Sequence, residues 1–263
     1  MMRKKLSTLN VILFVAVGVV GLNMGSLIEL VLDRHVPEYL VPRPQNLFNA
    51  FTTQPWEWVK AMGYTTLLST IAAAICCGLG VLLGVVTSFL KLWSIDRWAQ
   101  LIWSIPMIAI AVYLSITVGI GWLYGISLAV FLGFYPIEKY TFDFCSTKAE
   151  GVTCLCAAFN LTRYEEFRHI RIPSVLRSLG TSLSQTLPLC FIGETMGEYT
   201  SAKISSFSVG LGGYLRYAQN YSNYKEIWLS IVCMMLLVFA SGELVRKLWD
   251  RLFPNNKEID VFQ

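Results

Sequence analysis

The run GYTTLLSTIAAAICCGLGVLLGVVTSFL, Gly63 to Leu90, holds no charged residue in 28 positions. About 30 Å of hydrocarbon is crossed by a helix of roughly 20 apolar residues. This stretch can therefore span a bilayer, and the rest of the chain is read from it. Only 14% of the 263 residues are charged, against about 25% in an ordinary soluble protein, and the mean hydropathy is +0.55.

Working outward, Asn10 to Ile28 is a 19-residue run without charge, and Trp98 to Ile137 is a run of 40. The longer run exceeds one span and divides at Gly119-Ile120-Gly121, giving spans at Trp98–Val118 and Trp122–Ile137. Leu179–Gly193 and Ile227–Gly242 complete the set. The pattern predicts an all-α membrane protein with six transmembrane helices. Arg3-Lys4-Lys5 before the first run also fits a secretory signal, but GLNMGSLIEL offers no small-x-small cleavage site, so the first helix is read as uncleaved.

Lys and Arg near span ends are retained on the cytoplasmic side. With the N-terminus inside, 15 of the 21 basic residues fall on inner segments, which predicts both termini in the cytoplasm. The expected organisation is an N-terminal helix and external linker over 1–59, a core over 60–252 with an inner loop at 138–177, and a cytoplasmic tail over 253–263.

Several functions are excluded by what the sequence lacks. It has no Gly-Lys pair, hence no G-x-x-x-x-G-K-[ST] phosphate loop, and no H-E-x-x-H or G-x-S-x-G. FSVGLGG, Phe207–Gly213, follows no strand and reads as a turn. The seven cysteines are odd in number and lie in spans or on the inner loop, so they read as small apolar residues rather than a disulfide framework or metal site. The span interiors carry essentially no ionisable group apart from Glu194, placed near the outer boundary. A gradient-driven transporter usually holds such groups at membrane depth. Energy for transport is therefore expected from a partner.

The inner loop concentrates charge. In FNLTRYEEFRHIRIP, Phe159–Pro173, Asn160 is a residue that tolerates the left-handed turn ending a helix. Thr162-Arg163-Tyr164-Glu165 has the form of a capping box. Tyr164, Phe167 and Ile170 share one face, and Pro173 is expected to stop the helix. On periodicity alone, that face suits contact with the protein's own membrane domain as well as docking to a partner.

This loop resembles the second half of the cytoplasmic E-A-A…G…I-x-L-P loop of permease subunits in bacterial binding-protein-dependent ABC importers. Ile105-Pro106-Met107-Ile108-Ala109, Phe134-Tyr135-Pro136-Ile137, Gly210-Leu211-Gly212-Gly213-Tyr214-Leu215 and Pro42-Arg43-Pro44 extend the likeness, the last to the nitrate, sulfonate and taurine branch. The family's glutamate falls on Cys154, its alanines on Leu155 and Cys156, and its glycine on Asn160.

The resemblance implies the fold of a type I importer transmembrane domain in the bacterial plasma (inner) membrane. It implies a multi-pass subunit that is not itself an enzyme and holds no cofactor, metal or nucleic acid. Its expected partners are an ABC ATP-binding subunit, an external solute-binding protein, a second permease copy forming a homodimer, and membrane lipid. The ATPase-docking loop would comprise Ala157, Ala158, Asn160, Thr162, Arg163, Tyr164, Glu165, Phe167 and Pro173. Pro106, Gln185, Pro188 and Glu194 would mark the translocation pathway. The branch handles nitrate, sulfonates, taurine, bicarbonate and pyrimidine precursors of thiamine. A secondary transporter or channel acting without an ATPase is the alternative reading, and a membrane anchor for partners a third.

Overall fold

The computed structural model describes residues 44–146, 156, 158–202 and 210–253. The expected first span, Pro42-Arg43, Cys154, Ala157 and the tail beyond Phe253 lie outside them. The elements in chain order are α1 (Pro44–Thr53), α2 (Pro55–Phe89), α3 (Trp93–Trp103), α4 (Met107–Thr117), α5 (Trp122–Ser146), α6 (Arg163–Glu166), a π turn (Phe167–Arg171), α7 (Ile172–Ser201), α8 (Leu211–Asn220) and α9 (Tyr224–Leu252). No strand occurs among the described residues.

α2 and α9 are each long and apolar enough to cross a membrane. α5 and α7, of 25 and 30 residues, have the length, at about 1.5 Å per residue, but carry polar side chains that the bundle interior buries. The expected third span is not one helix. α3 and α4 meet at a 91° bend, where Pro106 takes an extended conformation ahead of α4. Proline disfavours helical geometry in the residue before it and donates no amide of its own. Each half has 11 residues, too few to cross alone.

Three other boundaries also shift. The fourth span does not stop at Ile137: α5 continues to Ser146, with Pro136 inside it. That proline removes the amide due to the Leu132 carbonyl, and the Trp103 indole supplies the missing hydrogen at 3.2 Å. The fifth span begins at Ile172, and Pro173 does not end the helix before it. Instead, the π turn passes the chain from α6 into α7, with the Ile172 amide bonding the Phe167 carbonyl. Pro173 sits in the first turn of α7, where its missing N–H costs little. Arg163 to Ser201 is therefore one helical rod.

α2, α5 and α7 form the main core, with Ala72, Cys76, Ala129, Ile137, Leu179, Cys190 and Phe191 buried at its centre. Lipid supplies no hydrophobic drive between helices, so close contact depends on small residues. The α5–α7 seam shows this: a Cβ on Gly197 would lie 2.3 Å from the Gly125 Cα. A second cluster at the opposite end from the inner loop joins Leu47 of α1 and Trp58 of α2 to Leu211 and Tyr214 of α8 and Leu229 of α9. Trp58 and Tyr214 pack with ring centroids 4.8 Å apart.

Candidate functional site

The end of the bundle carrying Asn160–Pro173 is termed inner, and the other outer. At the inner end Asn160 has φ +47°. The Leu161 amide reaches back to the Cys156 carbonyl at 3.0 Å, a helix-ending turn of the 6→1 kind. The Thr162 amide then donates to Glu165 Oε2 at 2.8 Å, and the Thr162 hydroxyl to the same oxygen at 2.7 Å. The Glu165 amide faces Thr162 Oγ1 at 3.4 Å, which closes the box reciprocally. These bonds, the amide's first, hold the Glu165 carboxyl below its ordinary range.

The aromatic residues separate by direction. Phe167 is 6% exposed and turns inward, meeting Phe89 of α2 edge-on with centroids 5.1 Å apart. Its ring also lies 5.2 Å from the Arg171 guanidinium, whose Nε donates to Glu166 Oε1 at 2.6 Å. The expectation that Phe167 faces a partner is therefore corrected: it fastens the segment to the chain's own core, because the π turn rotates it away from Tyr164. Tyr164 is 59% and Phe159 72% exposed, flanking the Asn160 turn. Ala158 and Thr162 are also exposed. The exposed surface of the segment is therefore the turn itself with an aromatic on either side, and Phe159 is the residue that periodicity did not single out.

The expected pathway residues part company as well. Gln185 is exposed on α7, Pro188 lies half-buried one turn on, and Pro106 is exposed at the α3–α4 bend. Glu194 lies on no open face. It is 1% exposed, packed so that a Cβ on Gly125 would come within 2.5 Å of its Oε1. Two further buried carboxylates lie just beyond the expected span ends. Glu138 is buried on α5, where neither carboxylate oxygen has a hydrogen-bond partner among the described residues. Glu198, one turn beyond Glu194, accepts from Thr65 and from the Gly212 amide. Near the inner end, Lys139 bridges Asp96 and Asp143, at 3.0 Å each.

A helical membrane bundle with a capped, aromatic-flanked segment at its inner end and no nucleotide-binding element in its sequence is the architecture of a transport permease that draws its energy from elsewhere. The chain belongs to the family described as binding-protein-dependent transport system inner membrane component, which matches residues 77–254. It is similar to the formylaminopyrimidine transport permease protein ThiX of Halalkalibacterium halodurans, at 25% identity over 228 residues that cover 84% of this chain and 87% of that protein. The chain is thus a permease subunit of an ABC importer, set in the inner membrane. ATP is hydrolysed by a separate ATP-binding subunit, and a solute-binding protein completes such systems. The alternative of a transporter without an ATPase is not favoured.

Proposed function

We propose that the Ala157–Pro173 segment is where this permease receives the ATP-binding subunit, with Phe159, Tyr164 and the Asn160 turn as the contact. The single observation that carries this reading is the division of labour in the segment. Phe167 clamps it to α2, while two large aromatic side chains beside it stay exposed at the end of a continuous helical rod. Exposed aromatics around a rigid turn make strong anchors when a partner buries them, and the rod can pass a push to the spans without bending.

In this reading two copies of the chain face each other across the pathway in a lipid bilayer, both termini lie in the cytoplasm, and no cofactor is held in the permease. Gln185 and Pro188 on the open face of α7, with Pro106 at the bend, border the passage. An amide facing hydrocarbon is costly, which supports a water-filled or protein-covered face there. The core is taken over 60–252 with α2 reaching back to Pro55, between an N-terminal part over 1–59 and a tail over 253–263. A formylaminopyrimidine, named for the relative, is the first solute to test.

Copurification tests the docking contact. The ATP-binding subunit is expected to remain with the wild-type chain and to be lost from the Phe159→Ala, Tyr164→Ala double variant. Equal retention by both would refute the assignment.

A further inference from the structure

Glu198 lies in the last turns of α7 and is buried. Thr65 Oγ1 of α2 donates to its two carboxylate oxygens at 2.7 and 3.0 Å, and the Gly212 amide of α8 donates at 2.8 Å. The Thr65 hydroxyl oxygen in turn accepts from the Leu211 amide at 3.0 Å. Two of the opening amides of α8 are therefore satisfied by side chains from two other helices. A carboxylate suits this place because the helix N-terminus is electropositive. The fit is tight: Gly210 has φ +147°, and a Cβ there would sit 2.3 Å from Glu198 Oε1.

From Ile172 to Glu198 the rod rises about 39 Å, more than the roughly 30 Å of hydrocarbon, so a rod that crosses the bilayer holds this junction and the docking segment at opposite faces. The helices joined here by Glu198 and Thr65 are joined again at the inner end by Phe89 and Phe167. α8 is thereby tied to both pillars, while Gln219, Asn220, Tyr221 and Ser222 at its far end are exposed.

We propose that Glu198 is the positioning residue of an outer latch that makes α8 follow α2 and α7 when ATP binding rearranges the spans. Cutting the latch would leave the inner machinery working and the outer helix no longer moving with it. The inference rests on the docking reading above, since the motion starts from that segment.

The test uses the full complex in nanodiscs with Asn220→Cys as a reporter, the chain without that substitution serving as the blank. The rate of maleimide labelling is compared with and without ATP plus vanadate. In the reporter background ATP–vanadate is expected to change the rate by roughly fivefold or more, the lower end of a typical coupling energy. Thr65→Val and Glu198→Gln should shrink that change to less than about twofold while ATP hydrolysis continues, and Thr65→Ser, which keeps the hydroxyl, should restore it. The latch is overturned if Thr65→Val and Glu198→Gln respond like the parent, if the parent shows no response, if hydrolysis falls together with the response in both variants, or if Thr65→Ser fails as Thr65→Val does. Failure of the docking reading would show separately, as ATP hydrolysis and subunit retention that ignore Phe159→Ala and Tyr164→Ala.

Discussion

Phe167 and Tyr164 are three positions apart and do opposite work. Phe167 fills the space against Phe89, so Phe167→Ala should cost about 3–5 kcal/mol of stability, read as a lowered thermal midpoint in detergent. Tyr164→Ala should change stability by less than about 0.5 kcal/mol and act on partner retention alone. Glu165 adds a pH signature. Its native pKa is depressed by the Thr162 amide and hydroxyl, so its contribution is complete above the unfolded value of about 4.3 and is lost as pH falls through the lower native value. Amide exchange over residues 163–167, corrected for intrinsic rate, should stay protected at neutral pH and open in acid below about 4, with a weaker dependence in Thr162→Ala, which keeps the backbone bond, and none in Glu165→Gln. The Asn160 turn and the Thr162–Glu165 box were legible in the sequence because they close within six and four residues. The direction of Phe167 was not, since a face repeating every three residues looks the same turned inward or outward.

At the scale of elements, four prolines that look alike in sequence have three fates. Pro106 breaks a span, Pro136 and Pro188 lie inside continuous helices, and Pro173 enters the first turn of one. Inside a helix each proline leaves the carbonyl four residues back without its usual donor. For Pro136 the donor is the Trp103 indole on another helix, a tertiary fact that no local pattern reports. The long helices α2, α5, α7 and α9 were readable from charge-free runs, whereas the short α1 and α8 were not, nor were the ends, because α5 and α7 continue on polar residues that the bundle buries. The α5–α7 seam gives the sharpest element-level expectation. Gly197→Ala places a methyl 2.3 Å from the Gly125 backbone and should destabilise by about 1–3 kcal/mol through overpacking. Gly78→Ala, with nothing within 4 Å, should be neutral or mildly stabilising for its helix. Equal thermal midpoints for the two variants would contradict the described seam.

For the whole molecule, composition was enough to place the chain in a membrane, and motif order was enough to point to its family. The buried carboxylates were the part composition hid: Glu138, Glu194 and Glu198 add little to an average, and the contacts of Glu194 with Gly125 and of Glu198 with Thr65 and Gly212 join distant parts of the chain. What emerges is a permease in which α2 and α7 are joined at both ends of the bundle, by Phe89 with Phe167 and by Thr65 with Glu198. The most direct measurement is uptake into liposomes holding the chain, its ATP-binding subunit and the solute that its binding protein carries. The account predicts uptake only with ATP available to the ATP-binding subunit, abolished by Phe159→Ala with Tyr164→Ala and indifferent to an imposed ion gradient. Full uptake driven by a gradient with the ATP-binding subunit left out would contradict it.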